Sequence, residues 1–141
     1  MREAASAAGV KPAAAATSKA ALAPGAAQAP DATRILLPDE QLLFRYSAIT
    51  DNPHRIHYDQ LYATGVEAYP ALVVNGSIPG MFLLELFRAS AGREPVTLAS
   101  RNFAPMFCGV PLQLNLRYDG AAWRLWAQDA QGNVGYDARV E

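Results

Sequence analysis

The stretch "SIPGMFLLELF", residues 77 to 87, constrains the fold more than any other part of the chain. Met81, Phe82, Leu83, Leu84, Leu86 and Phe87 leave only Glu85 and then Arg88 as polar interruptions, so a helix here is apolar nearly all round. A helix of that kind has to be buried nearly all round. Some other part of the chain must wrap it.

The C-terminal third supplies a wrapper. In "VPLQLNLRY", Val110, Leu112, Leu114, Leu116 and Tyr118 alternate with Pro111, Gln113, Asn115 and Arg117, the pattern of a strand with one face buried. "DG" at 119 and 120 turns the chain into "AAWRLWAQD", and "QGN" turns it again into "VGYDARV". A further strand is predicted at 95–103. On the N-terminal side, "TRILLP" reads as a strand that Pro38 stops, and "PDEQLLFRYSAITD" sets Leu42, Leu43, Tyr46 and Ile49 at helical spacing. Residues 52–59 read as a loop, with Asp59 as the N-cap of a short helix that ends at Gly65. The order is strand, helix, loop, central helix, four strands. A long apolar helix and a curved antiparallel sheet meet each other's need for cover, which predicts an α+β fold of the hot-dog type, the sheet wrapped around the central helix.

Residues 1–32 have a different composition: about half are alanine, broken by Gly9, Pro12, Pro24, Gly25 and Pro30. Such a segment buries too little surface to offset its chain entropy, so it is expected to be a disordered arm or linker, with the hot-dog domain at 33–141. It lacks the regular Arg spacing of a targeting helix. The 12 basic and 13 acidic residues form no basic cluster, which argues against nucleic acid as a partner, and no apolar run is long enough to cross a bilayer. Cys108 is the one cysteine, so an internal disulfide and a cysteine-rich metal site are both excluded. A cytoplasmic location is the expectation.

Both histidines fall in "NPHRIHYD", residues 52 to 59. Taken alone, a loop imidazole either bonds a backbone carbonyl or works as an acid and base. His54 is expected to be structural or at the surface, and its spacing from His57 suits no metal pair in a loop. Arg55 is expected either to bind a phosphate or carboxylate of a substrate or to pair with a nearby acid. Tyr58 is read as a packing residue with its hydroxyl at a cavity rim, and Asp59 as a helix cap before a site residue.

From "FRYSA" through "HRIHYD" and "YPALVVNG" to "SRNFAPMFCGVPLQLNL", the chain resembles the MaoC-type hydratase/dehydratase family, in the branch of mesaconyl-CoA hydratases and type 2 hydroxyacyl-thioester dehydratases. The resemblance implies reversible addition of water across the double bond of an enoyl-CoA or acyl-carrier thioester, with no metal or redox cofactor. It implies His57 as general base and acid, Asn52 as the partner that orients water or imidazole, and neighbouring Asp51 as a further contributor. It also implies that amides near Gly76 and Ser77 hold the thioester oxygen; Pro79 has no N–H, which leaves Gly76, Ser77 and Ile78. Imidazole can take and return a proton at neutral pH, and amides at a helix start stabilise an oxygen where negative charge develops. Two departures stand out. Many relatives carry Asp where this chain has Asn52, and they usually read "VVHG" where this chain reads "VVNG", so Asn75 replaces a His beside the substrate pocket. The chain matches the C-terminal, motif-bearing half of full-length members, which implies a homodimer or a heterodimer with a second hot-dog subunit. A non-catalytic hot-dog subunit that binds acyl groups or completes a partner's site is the rival reading, and a thioesterase a third.

Overall fold

The computed structural model describes residues 29–141. The reading of the N-terminal arm lies outside them, apart from its last few residues. Of these, Asp31 already donates its N–H to the Leu116 carbonyl and accepts from the Tyr118 amide, so ordered pairing starts before residue 33.

The elements follow the predicted order: β1 (Ala32–Leu36), α1 (Glu40–Ile49), a single 3₁₀ turn (Arg55–His57), α2 (Gln60–Gly65), α3 (Ser77–Ala91), β2 (Leu98–Asn102), β3 (Leu112–Tyr118), β4 (Trp123–Gln128) and β5 (Val134–Val140). The strands form one antiparallel sheet in the order β1-β3-β4-β5-β2, so the two strands farthest from the meander in sequence become its edges. Gly120 and Gly132, with φ of 94° and 84°, make the turns between β3, β4 and β5. No helix among the described residues is long and apolar enough to cross a membrane.

The sheet curls round α3. Ile78, Leu83 and Phe87 on the helix pack against Leu114, Leu116 and Leu125 of β3 and β4, all fully buried. Contact with β5 is close at Gly80, where an added Cβ would come within 2.6 Å of the Tyr136 hydroxyl. Gly92, at φ 66°, ends the helix as a left-handed cap.

The helix is less enclosed than its composition predicts. Met81 is 41% exposed, and Phe82, Leu84 and Leu86 are only half-buried, because one curled sheet covers one side of a helix. The opposite departure occurs on β3. Asn115, placed by alternation on the solvent face, is buried, and its Oδ1 accepts a hydrogen bond from the Thr33 hydroxyl on β1 at 2.7 Å. Gln113 and Arg117 on the same face are only half-buried, so the departure is local to Asn115 and its contact with Thr33 on β1.

Candidate active site

The loop that carries the histidines is set by the end of α1. The Asn52 N–H donates to the Ser47 carbonyl at 2.9 Å and the Asp51 N–H to the Ala48 carbonyl at 3.4 Å, with Asp51 at φ 51°. This is a Schellman-type termination, and Asp is one of the few non-glycine residues that tolerate the left-handed conformation it needs. Pro53 prevents the helix from continuing. The Asn52 carboxamide then accepts from the His54 N–H at 3.0 Å, bending the chain into the 3₁₀ turn. Within the turn the His57 N–H donates to the His54 carbonyl, and Ile56 and His57 face inward.

Two bonds dock this turn onto the strip Leu72–Val74. The Val73 N–H donates to the Ile56 carbonyl at 3.0 Å, and His57 Nδ1 lies 2.7 Å from the Val73 carbonyl oxygen. A carbonyl only accepts, so Nδ1 carries the hydrogen. In a neutral ring that leaves the lone pair on Nε2, which makes no hydrogen bond to any described residue. The same strip is held from its other edge: Val73 bridges Phe107, the Val74 N–H donates to the Met106 carbonyl at 2.8 Å, and the Cys108 N–H donates to the Leu72 carbonyl at 2.9 Å. The apolar "ALVV" run is therefore a rigid rail between the imidazole loop and the 106–108 segment.

His57 is 8% exposed, and its ring opens onto a cleft of about 380 Å³ shared with Gly76, His54, Asn102, Phe103 and Met106. That volume lies within the usual range for small-molecule sites. The His54 ring stands edge-on to His57, with centroids 5.5 Å apart; it is exposed, in line with the surface position expected of it, and it also borders the cleft. Asn102 also lines it. Sequence reasoning assigned Asn102 no role, and its only signal was a place within "SRNFAPMF".

At the start of α3, the Ser77 N–H donates to Asn75 Oδ1 at 3.0 Å and the Ile78 N–H to the Asn75 carbonyl at 2.9 Å. Asn75, one residue before the Gly76 N-cap, thus takes up two of the amides at the helix start. Of the three amides expected to hold a thioester oxygen, only that of Gly76 makes no hydrogen bond to a described residue.

Three expected site residues lie elsewhere. Asn52, Asp51 and Tyr58 line a separate groove of about 160 Å³ with Phe44, Ser47, Ala48 and Pro53. The Asn52 carboxamide oxygen is taken by the His54 N–H, and the Tyr58 hydroxyl donates to the Pro53 carbonyl at 2.9 Å. Arg55 meets the second of its two alternatives: it donates from Nε at 3.1 Å and Nη2 at 2.7 Å to Asp59 Oδ2, with its plane 4.2 Å over the Tyr62 ring. The Arg55 hydrogen bonds hold the Asp59 carboxyl below its ordinary range and raise the guanidinium above its own. Asp59 also caps α2 by accepting from the Tyr62 amide. Burial, with smaller effects from Glu40 and Asp39, pushes the Cys108 thiol up, which makes it a poor nucleophile.

Residues 1–108 match the family described as hydroxyacyl-thioester dehydratase type 2. The chain is 44% identical over 109 residues to mesaconyl-C(4)-CoA hydratase of Chloroflexus aurantiacus, covering 77% of this chain and 39% of that protein. It is 32% identical over 97 residues to the mitochondrial hydroxyacyl-thioester dehydratase type 2 of Schizosaccharomyces pombe, covering 67% of this chain and 32% of that protein. The chain therefore spans less than half the length of these curated relatives. Among solved structures, the unliganded R-hydratase PhaJ1 from Pseudomonas aeruginosa matches with a TM-score of 0.67 at 15% identity, over 81% of this chain and 79% of that one. At that identity the likeness speaks for the fold.

Proposed function

Since the chain belongs to the hydroxyacyl-thioester dehydratase type 2 family, we propose that it catalyses reversible hydration of an α,β-unsaturated acyl thioester carried by CoA or an acyl-carrier protein. The observation that carries this reading is the His57 ring, pinned through Nδ1 to the Val73 carbonyl so that Nε2 is a lone-pair base in the cleft that also holds the start of α3. In the hydration direction, Nε2 takes a proton from water as the water oxygen bonds to C3. The C2–C3 π pair moves toward C2 and the thioester oxygen, where the Gly76 N–H meets the growing charge, and Nε2 then returns the proton to C2. Dehydration runs the same steps backward. Asn52 enters this reading as a positioning residue, because its carboxamide oxygen holds the His54 N–H and so shapes the loop that carries His57. The similarity to mesaconyl-C(4)-CoA hydratase makes a short dicarboxylic acyl-CoA the first substrate to try. The chemistry proposed needs no metal or redox cofactor, and the reading places the protein in the cytoplasm.

A second hot-dog unit, either another copy or a separate chain, is part of this reading. Edge strand β2 is exposed along its whole length, with Val96, Leu98 and Phe103 on and beside it, and α3 leaves Met81 uncovered. Open sheet edges of this kind invite pairing.

The test is to mix the protein with crotonyl-CoA and, separately, mesaconyl-CoA. Loss of enoyl-thioester absorbance without thiol release, at a rate on the order of 10 per second, is the expected result. Thiol release would mean hydrolysis. No change with either thioester would favour the rival reading of a non-catalytic acyl-binding subunit, which draws its support from Asn52 and Asn75 standing where the family pattern has Asp and His.

A further inference from the structure

We propose that Asn102 is a second donor to the thioester oxygen, working beside the Gly76 N–H; this rests on the reading of the cleft as an enoyl-thioester site. The start of α3 is short of donors. Asn75 occupies the Ser77 amide through its side chain and the Ile78 amide through its carbonyl, and Pro79 has none. Only the Gly76 N–H makes no bond to a described residue, and one donor is a weak cradle for an oxygen that becomes negative. The space where a side chain at Gly76 would stand is filled by a carboxamide: a Cβ added there would lie 2.6 Å from both Nδ2 and Oδ1 of Asn102 and 2.7 Å from its Cγ. The absence of a side chain at Gly76 is what lets this carboxamide sit against the helix start.

Asn102 is well placed to keep that position. It closes β2, paired with Tyr136 on β5, and the next residue, Phe103, donates its N–H to the Gly135 carbonyl at 2.9 Å. Its backbone is fixed, yet its side chain makes no hydrogen bond to any described residue, and it lines the same cleft as the nine-tenths-buried His57 ring with its unpartnered Nε2. Half a turn about the Cβ–Cγ bond exchanges Nδ2 and Oδ1, so an oxygen gaining negative charge selects the donor end. Base and donors then stand on opposite elements of one cleft, the base on the 3₁₀ turn and the donors on α3 and β2.

Two variants and two readouts test this. Asn102→Leu keeps the volume against Gly76 and removes the donor, and Asn102→Ala removes both. With crotonyl-CoA, both are expected to lower kcat about 100-fold with KM little changed and the shape of the pH profile preserved. The second readout needs no turnover. In a His57→Ala background, the infrared carbonyl band of bound crotonyl-CoA is expected to lie below its position in water, and adding Asn102→Leu should move it back toward that position. An unchanged kcat in Asn102→Leu, or a carbonyl band indifferent to residue 102, overturns the assignment. If the wild-type protein binds crotonyl-CoA without hydrating it, the enzymatic reading fails while the band still decides whether Asn102 polarises the carbonyl. A thioester that does not bind overturns both.

Discussion

Replacing His57 with alanine is expected to reduce crotonyl-CoA hydration by on the order of 1000-fold, since a positioned general base contributes about 100- to 10,000-fold. The loss has two origins that a second variant separates. Alanine removes the base at Nε2 and also the Nδ1 bond that ties the 3₁₀ turn to Val73, leaving a carbonyl unpaired at a cost of about 1–3 kcal/mol. His57→Gln offers an amide N–H that can reach the same carbonyl while providing no base at the cleft. Both variants should therefore be nearly inactive, with His57→Gln melting closer to the parent. Substantial turnover in a folded His57→Gln protein would remove the imidazole from the mechanism.

Truncating Phe87 to alanine is expected to have the largest effect on folding, a loss of about 3–5 kcal/mol. The ring is fully buried, meets Trp123 of β4 edge-on with centroids 5.8 Å apart, and lies under the Arg93 guanidinium. Domains of this size are stable by only about 5–15 kcal/mol, so the variant gives up a large share. Urea titration should show a lower midpoint with an unchanged slope. Met81→Ala on the open side of the same helix is the control, expected to stay within about 0.5 kcal/mol. Equal effects at the two positions would mean that the sheet does not wrap α3 from the side described.

The order of elements was legible because each has a strong local cause. Asp39 and Asp59 cap α1 and α2 by accepting from the Leu42 and Tyr62 amides, Gly92 ends α3, and Gly120 and Gly132 turn the meander. Tertiary features were harder to see. Composition showed that α3 needs cover but not how much of it one sheet supplies, hence the exposure of Met81. Period-two alternation assigned Asn115 to water because it carries no information about Thr33 on the neighbouring strand.

At the site the family motif picked out His57 and Gly76, which share the cleft, and it grouped Asn52 and Asp51 with them, while Tyr58 was read as a cavity-rim residue. Those three diverge because the turn that ends α1 spends them on backbone geometry. Asp51 takes the left-handed position, Asn52 holds the His54 amide, and Tyr58 bonds to Pro53. The Val73 carbonyl that orients the imidazole could not be read from sequence at all, since every residue type presents the same acceptor. Asn102 was hidden for a related reason: its nearness to Gly76 depends on β2 being the sheet edge closest to the start of α3.

The account depends on which ring nitrogen of His57 bears the hydrogen. Long-range ¹H–¹⁵N correlation of the histidine side chains, recorded above the pH at which the ring is charged, reads this directly. The expected pattern is a protonated Nδ1, its hydrogen shielded from exchange by the Val73 carbonyl, with a pyridine-like Nε2. A ring protonated at Nε2, with Nδ1 bearing the lone pair, would leave the cleft without its base and contradict the mechanism.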